Sequence, residues 1–298
     1  MMSSSKSYLE DSISRINNAL LESLPEKSFS EITEAIHYSV MNDGKRMRPL
    51  LMLLMAEALE VEVKNKTVDK MAAAGELIHC YSLIHDDLPA MDDDDYRRGK
   101  LSCHKKFSEA TAILAGDAIQ PLSLEILTSI QDENLSEASK CKIINIFAKA
   151  CGPKGMVEGQ HLDLKAENKN LSEKELNEIH YLKTGKLIEA CIVAVCVLKK
   201  DITDEEISKL VKFAQKFGLA FQIRDDILDV IGEEKDIGKP VGSDESKNKS
   251  TYASILGVPK SQEKAEKLSQ EAINILKSLP YNTQKLQNLS NLIVERIR

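Results

Sequence analysis

Apolar residues recur every three to four positions through most of this chain, the spacing that lines one face of an α-helix. The pattern predicts helices over 8–24, 30–41, 50–59, 68–86, 108–130 and 136–151. It continues over 155–167, 173–198, 204–231, 251–256, 263–279 and 282–297. Ser28 with Glu31, Ser172 with Glu175 and Thr203 with Glu206 have capping-box spacing, in which hydroxyl and carboxylate each satisfy a backbone N–H at a helix start. No segment alternates as a half-buried strand does, and no Asn-Gly or Asp-Gly turn sits among β-branched runs. Gly152-Pro153, Gly232 and Gly257-Val258-Pro259 punctuate the joints. The prediction is one all-α domain over 1–298, a helical bundle around a central apolar cavity. The helices before and after Gly152 leave two lobes around that cavity as an open arrangement.

Two polar segments, 92–104 and 233–250, interrupt the pattern, and loops of this length commonly act as lids. Each follows an aspartate cluster: Asp86-Asp87-Leu88-Pro89-Ala90-Met91-Asp92, and Asp225-Asp226-Ile227-Leu228-Asp229. Each cluster ends an apolar run, so its carboxylates repel one another and lose hydration unless cations neutralise them. Hard oxygen ligands suit Mg²⁺, which bridges carboxylates to substrate phosphates. Asp225 and Asp229, four apart, share a helix face. Asp86 and Asp92, six apart, do not, and Pro89 predicts a break that lets Asp92 swing back. The reading is a diphosphate held by Mg²⁺ between two facing helices, above an apolar cavity.

A diphosphate also needs cationic donors. Gly44-Lys45-Arg46-Met47-Arg48-Pro49, Arg97-Arg98, Lys183-Thr184-Gly185, Lys239 and Lys249 supply candidates. His79 and Lys183 lie in apolar helical patterns, so each needs an internal partner; His79 is two turns before Asp86. Tyr81, five residues before Asp86, reads either as ordinary core or as a stop for a tail anchored at the aspartates.

Bulk composition narrows the classes. A hydrophobic content of 42% over 298 residues is ample for a core, while 4% aromatics and no Trp predict an aliphatic cavity. A net charge of −7 argues against nucleic acid or an anionic membrane as partner. The six cysteines form no C-x-x-C pair and predict reduced thiols in a cytoplasmic protein. The N-terminal Met-Met-Ser-Ser-Ser-Lys-Ser-Tyr has no apolar core of a signal peptide. The longest unbroken apolar runs, 49–56 and 190–198, are too short to span a bilayer.

The run 44–49, the segment 86–99, Gly159-Gln160-His161-Leu162-Asp163, Lys183-Thr184-Gly185 and Gln222–Asp229 together resemble the short-chain trans-prenyltransferases of the polyprenyl synthetase family, nearest the bacterial farnesyl diphosphate synthase group. The motifs fall in the right order from about residue 42 to 252. Asp43 stands where the family often has a second glycine. The resemblance implies an isoprenoid-synthase fold, a homodimer and head-to-tail condensation of isopentenyl diphosphate with an allylic diphosphate, dimethylallyl or geranyl. It implies Mg²⁺, roughly two or three ions, with Mn²⁺ able to substitute. Asp86, Asp87, Asp92, Asp225 and Asp229 would form the metal-binding clusters, with Asp87, Asp226 and Asp229 nearby rather than direct. Arg97, Lys183, Lys239 and Lys249 would clamp the allylic diphosphate, and Lys45, Arg48, His79 and Arg98 would hold isopentenyl diphosphate. The Lys183 carbonyl, Thr184 hydroxyl and Gln222 amide would face the allylic cation. Bulk at Tyr81 implies (2E,6E)-farnesyl diphosphate as product. Geranyl or geranylgeranyl diphosphate synthase is the alternative in the same class. A class I terpene cyclase does not need 44–49 or Arg98, a non-catalytic subunit should have lost a site residue, and a loop-type Ca²⁺ protein needs ligands at alternate positions.

Overall fold

Helices form nearly every segment of the computed structural model, which describes residues 2–232 and 249–295. The chain divides into two compact units, Met1–Ile144 and Asn145–Arg298. The boundary falls inside one helix, some eight residues before the Gly152-Pro153 joint.

The first unit contains α1 (Met2–Ser23), a 3₁₀ turn (Lys27–Phe29), α2 (Glu31–Val40), α3 (Met47–Ala58) and α4 (Asn65–Asp86). A two-stranded antiparallel hairpin follows, β1 (Tyr96–Arg97) and β2 (Lys100–Leu101), then α5 (Cys103–Lys106), α6 (Glu109–Thr128) and the start of α7 (Glu137–Cys151). α4 is the axis of this unit and packs against α1, α2, α3 and α6. Ala72, Ala73, Ala74 and Gly75 keep part of its surface thin, so neighbouring helices approach closely, while Leu77 and Ile78 fill the core. α3 is buried along almost its whole length, from Pro49 to Ala56. Each such Leu or Met, taken out of water, contributes about 1.5–3 kcal/mol.

The second unit contains α8 (Met156–Ala166), α9 (Glu173–His180), a π-helical turn (Tyr181–Gly185), α10 (Lys186–Cys196) and α11 (Asp204–Ile231). After the undescribed stretch come α12 (Tyr252–Leu256), α13 (Val258–Lys277) and α14 (Gln284–Glu295). α11 is its axis and packs on α10, α13 and α14. Phe213, Ala214, Phe217 and Ala220 bury one stripe of it.

Several local expectations are corrected. Ser28 does not cap α2; its hydroxyl bonds Glu26, because residues 27–29 are already coiled in the 3₁₀ turn. Ser30 caps instead, in a capping box with Thr33. The boxes at Ser172–Glu175 and Thr203–Glu206 form, and another unforeseen one joins Thr251 to Ser254. The helix expected over 173–198 forms through 196, with a π turn at 181–185 inside it. α13 starts at Val258 rather than 263, because Pro259 in a first turn forfeits no hydrogen bond. Of the six thiols, Cys80, Cys103, Cys191 and Cys196 are buried. α6 is long and apolar enough to cross a membrane by length and composition alone, yet Ala112, Ala115, Gly116 and Ile119 bury one side of it in unit one.

Candidate active site

In the first unit, α4 runs to Asp86 and stops before Pro89. The Met91 N–H donates to the Leu88 carbonyl (2.8 Å), the Asp93 N–H to Leu88 (3.1 Å) and the Asp92 N–H to Asp86 (2.8 Å). The chain therefore curls back on itself after the proline, and Asp92 returns to Asp86 as its spacing required. The turn sets two carboxylates on one short, backbone-braced loop. Both donors are hard oxygens, the ligand chemistry Mg²⁺ takes.

Asp87, next to Asp86, engages the hairpin. It is 2% exposed and accepts from Arg97 Nε at 2.9 Å and from the same guanidinium's terminal nitrogen. Asp94 takes a second bond from Arg97, at 3.2 Å. Burial works against the Arg97 charge, but the Asp87 carboxylate overrides it and raises the guanidinium above its ordinary value. Asp87 thus fixes Arg97 in direction and charge.

The segment after the motif is a hairpin rather than a plain loop. Tyr96 pairs with Leu101 and Arg97 with Lys100, and Arg98 (φ 55°) and Gly99 (φ 75°) close it. Two successive left-handed residues make the tight turn whose twist suits paired strands; the signal was Arg-Gly, not Asn-Gly or Asp-Gly. Arg97 and Arg98 consequently diverge. Arg98 donates to the Asn42 carbonyl (3.2 Å), and the Asn42 amide donates to the Arg97 carbonyl (3.0 Å). Gly44 lies under the Arg98 guanidinium, where a Cβ would come within 2.4 Å of it. The glycine of 44–49 therefore makes room for an arginine from the hairpin.

The charges of the arginines reach His79. Burial, reinforced by Arg48, Arg98, Arg97 and Arg46, holds its imidazole well below the usual range, so it is neutral near pH 7. Lys45 stands exposed at the start of this basic surface. Arg46, unassigned from sequence, proves structural. It is 3% exposed and bonds Glu76 (3.0 Å), the Val40 carbonyl (2.7 Å) and Asn17 (3.0 Å). Removing one partner of such a pair costs about 3–5 kcal/mol. Glu76 and Asn17 lie far from Arg46 in sequence, so no local pattern marks them. Tyr81 is buried, and its ring meets His85 edge-on at 6.0 Å.

In the second unit, the aspartates at the end of α11 divide by environment. Asp225 is partly exposed and accepts from Arg224 at 2.5 Å, while the buried Arg224 stacks 4.1 Å over the Phe221 ring. Asp226 accepts the Tyr252 N–H (2.8 Å) and lies 3.4 Å from His180 Nε2, pinning the start of α12. Asp229 is buried. Gln222 and Asp225 are both partly open on this helix.

Lys183 stands in the π turn, with Thr184 buried beside it. Single π turns inside helices frequently mark functional sites. Asp163 of α8 accepts from Lys183 (2.7 Å) and from Lys249 (3.0 Å). Although burial opposes it, the two ammonium groups hold the Asp163 carboxyl well below its ordinary value. Gly159 makes this possible: a Cβ there would lie 2.2 Å from the Lys183 backbone nitrogen. Asp163 and Gln160 went unassigned from sequence. Both amide atoms of Gln160 are buried without a hydrogen-bond partner. The available signal was Gly159 and Asp163 spaced to share one face. Lys239 and most of the second predicted lid lie outside the described residues.

Comparison with known proteins agrees. The polyprenyl synthetase family model matches residues 29–292. A farnesyl diphosphate synthase of Haemophilus influenzae is 43% identical over 285 residues, covering 95% of each chain. A geranyltransferase crystal structure from Legionella pneumophila matches with a TM-score of 0.88 at 36% identity, covering 99% of this chain and 98% of that one. A geranyltransferase from Helicobacter pylori, solved with magnesium and isoprenyl diphosphate, matches with a TM-score of 0.84 at 33% identity, covering 98% and 96%. With ordered motifs in both units and a family match across nearly the whole length, the chain belongs to the polyprenyl synthetase family.

Proposed function

We propose that this protein is a cytoplasmic prenyltransferase that condenses isopentenyl diphosphate head-to-tail with dimethylallyl and then geranyl diphosphate, releasing diphosphate and ending at (2E,6E)-farnesyl diphosphate. The carrying observation is a second set of basic side chains besides Arg97, whose charges act on His79. Neutral His79 with Arg48 and Arg98 forms a basic patch that the leaving diphosphate does not require. A one-substrate cyclase has no use for it; a condensing enzyme needs it for isopentenyl diphosphate.

In this reading Asp86 and Asp92 hold Mg²⁺ on the allylic diphosphate, with Asp87 close by as the anchor of Arg97. Asp225, with Asp229 in support, would hold a further Mg²⁺ for the allylic diphosphate. Bound Mg²⁺ supplies the Lewis acid that neutralises charge developing on the leaving group. Arg97, Lys183 and Lys249 give that charge fixed cationic partners, as does Lys239 by family pattern. Lys45, Arg48, His79 and Arg98 orient isopentenyl diphosphate. The Lys183 carbonyl, Thr184 hydroxyl and Gln222 amide face the allylic cation. The two units act as one catalytic domain, and the protein acts as a homodimer, which sedimentation will show as twice the chain mass.

Incubation with isopentenyl and dimethylallyl diphosphates and Mg²⁺, followed by chromatography, should give a C15 product. Chelation should abolish turnover, and Mn²⁺ should restore part of it. Full activity after exhaustive chelation would sink the reading, and so would a cyclised hydrocarbon product.

A further inference from the structure

The hairpin carrying Arg97 and Arg98 is flanked by three side chains that the proposed reaction does not use. Asp93 and Asp95 precede β1, and His104 follows β2 at the start of α5. A carboxylate oxygen from each aspartate and a ring nitrogen of His104 lie within 4.8 Å of one another. Both aspartates are open to solvent, whereas His104 is 6% exposed. Its Nδ1 lies 3.1 Å from the Ser102 hydroxyl oxygen, but its Nε2 is buried with no hydrogen-bond partner. An orphaned buried nitrogen is costly, and native proteins seldom leave one without a purpose.

Two carboxylates and one imidazole form a mixed oxygen and nitrogen donor set. Mg²⁺ is satisfied by oxygens and water, whereas imidazole favours Zn²⁺ and its first-row neighbours. We propose that Asp93, Asp95 and His104 form a second metal site, distinct from the aspartate turn at Asp86 and Asp92, that takes a borderline divalent ion of the Zn²⁺ type. Ser102 sets the tautomer: when Nδ1–H donates to its hydroxyl oxygen, the Nε2 lone pair is presented to the ion. Lys105 Nζ lies 2.8 Å from Asp95 Oδ1 and serves as the cation there when no metal is held. The bound ion ties the segment entering the hairpin to the segment leaving it. It thereby stiffens the frame from which Arg97 and Arg98 project, without touching substrate. The site stands independently of the proposed prenyl transfer.

The test is calorimetric titration of the full chain with Zn²⁺ in a large excess of Mg²⁺, repeated with Asp93→Asn, Asp95→Asn, His104→Gln and Asp86→Ala. The wild type should bind one Zn²⁺ that excess Mg²⁺ does not displace. Each of the first three substitutions should weaken that ion at least about tenfold, whereas Asp86→Ala should leave it in place. The two aspartates are exposed, so their asparagine variants fold whatever His104→Gln does. Co²⁺ as a probe should give a visible ligand-field band that His104→Gln removes. Absence of a Mg²⁺-resistant ion overturns the site. Equal affinity in wild type and both asparagine variants does so too, as does loss of the ion in Asp86→Ala alone.

Discussion

Adjacent side chains on the hairpin serve different partners, which makes the residue scale the place to separate the two substrates. Arg97 is held by Asp87 and Asp94 next to the aspartate turn, whereas Arg98 leans on Asn42 and Gly44 beside His79. Their divergence comes from a strand giving way to a left-handed turn, not from the helical offset that adjacency suggests. Arg97→Ala should chiefly lower kcat with the allylic diphosphate, and Arg98→Ala should chiefly raise KM for isopentenyl diphosphate. Steady-state kinetics showing one pattern for both mutants would refute the division. His79 provides a stability test. Its folded-state pKa is depressed, so above about pH 6.5 the imidazole is neutral in both folded and unfolded chains and costs nothing. Below that, the unfolded chain takes up a proton that the native site resists, and stability falls. Urea midpoints measured from about pH 8 down to about pH 5.5 should drop more in the wild type than in His79→Gln; parallel curves would mean that the native site does not resist protonation of His79.

At the scale of elements, function depends on close approaches that only glycine allows. Gly159 brings α8 against the π turn, so Asp163 can reach Lys183 and Lys249. In Gly159→Ala the new Cβ meets main-chain atoms of Leu182 and Lys183, which cannot step aside as a side-chain tip can. The two elements must separate, at about 1–3 kcal/mol. A lower melting temperature and a raised KM for the allylic diphosphate should appear together. Gly218→Ala in α11 is the control. Its Cβ would sit 3.5 Å from Ile188 Cδ1, ordinary contact, and helix propensity favours alanine by roughly 0.5–1 kcal/mol. Thermal melts that rank the two variants equally would remove the close approach as the explanation.

At the scale of the whole molecule, the open question is how far the product grows. Tyr81 is buried on α4, between one and two turns from Asp86. Each added C5 unit lengthens the tail by roughly one helical turn, so a ring at this depth should halt growth at C15. Tyr81→Ala should shift products toward C20 and beyond while the dependence on Mg²⁺ is unchanged. An active mutant that still makes only C15 would place the stop elsewhere, with α6 near Ile113 the next candidate. There the Ile113 carbonyl already lies 3.1 Å from His85 Nε2, one turn along α4 from Tyr81.

Helical periodicity, the proline break and the two aspartate clusters were decided by the sequence itself, because each rests on local spacing. A 3.6-residue repeat names the buried face, Pro89 cannot continue a helix, and Asp225 and Asp229 share a face at any tertiary arrangement. The same locality placed Lys183 and His79 among apolar neighbours and required partners for them. Tertiary structure alone decided who those partners are. Asp163 meets Lys183 across α8 and the π turn, Arg46 finds Glu76 thirty residues away, and the charges of four arginines act on His79. It also decided that Asp87 grips Arg97, and that Ser30, not Ser28, starts α2. Such pairings depend on which helix faces meet and how closely their backbones approach, and spacing along one segment carries no record of either.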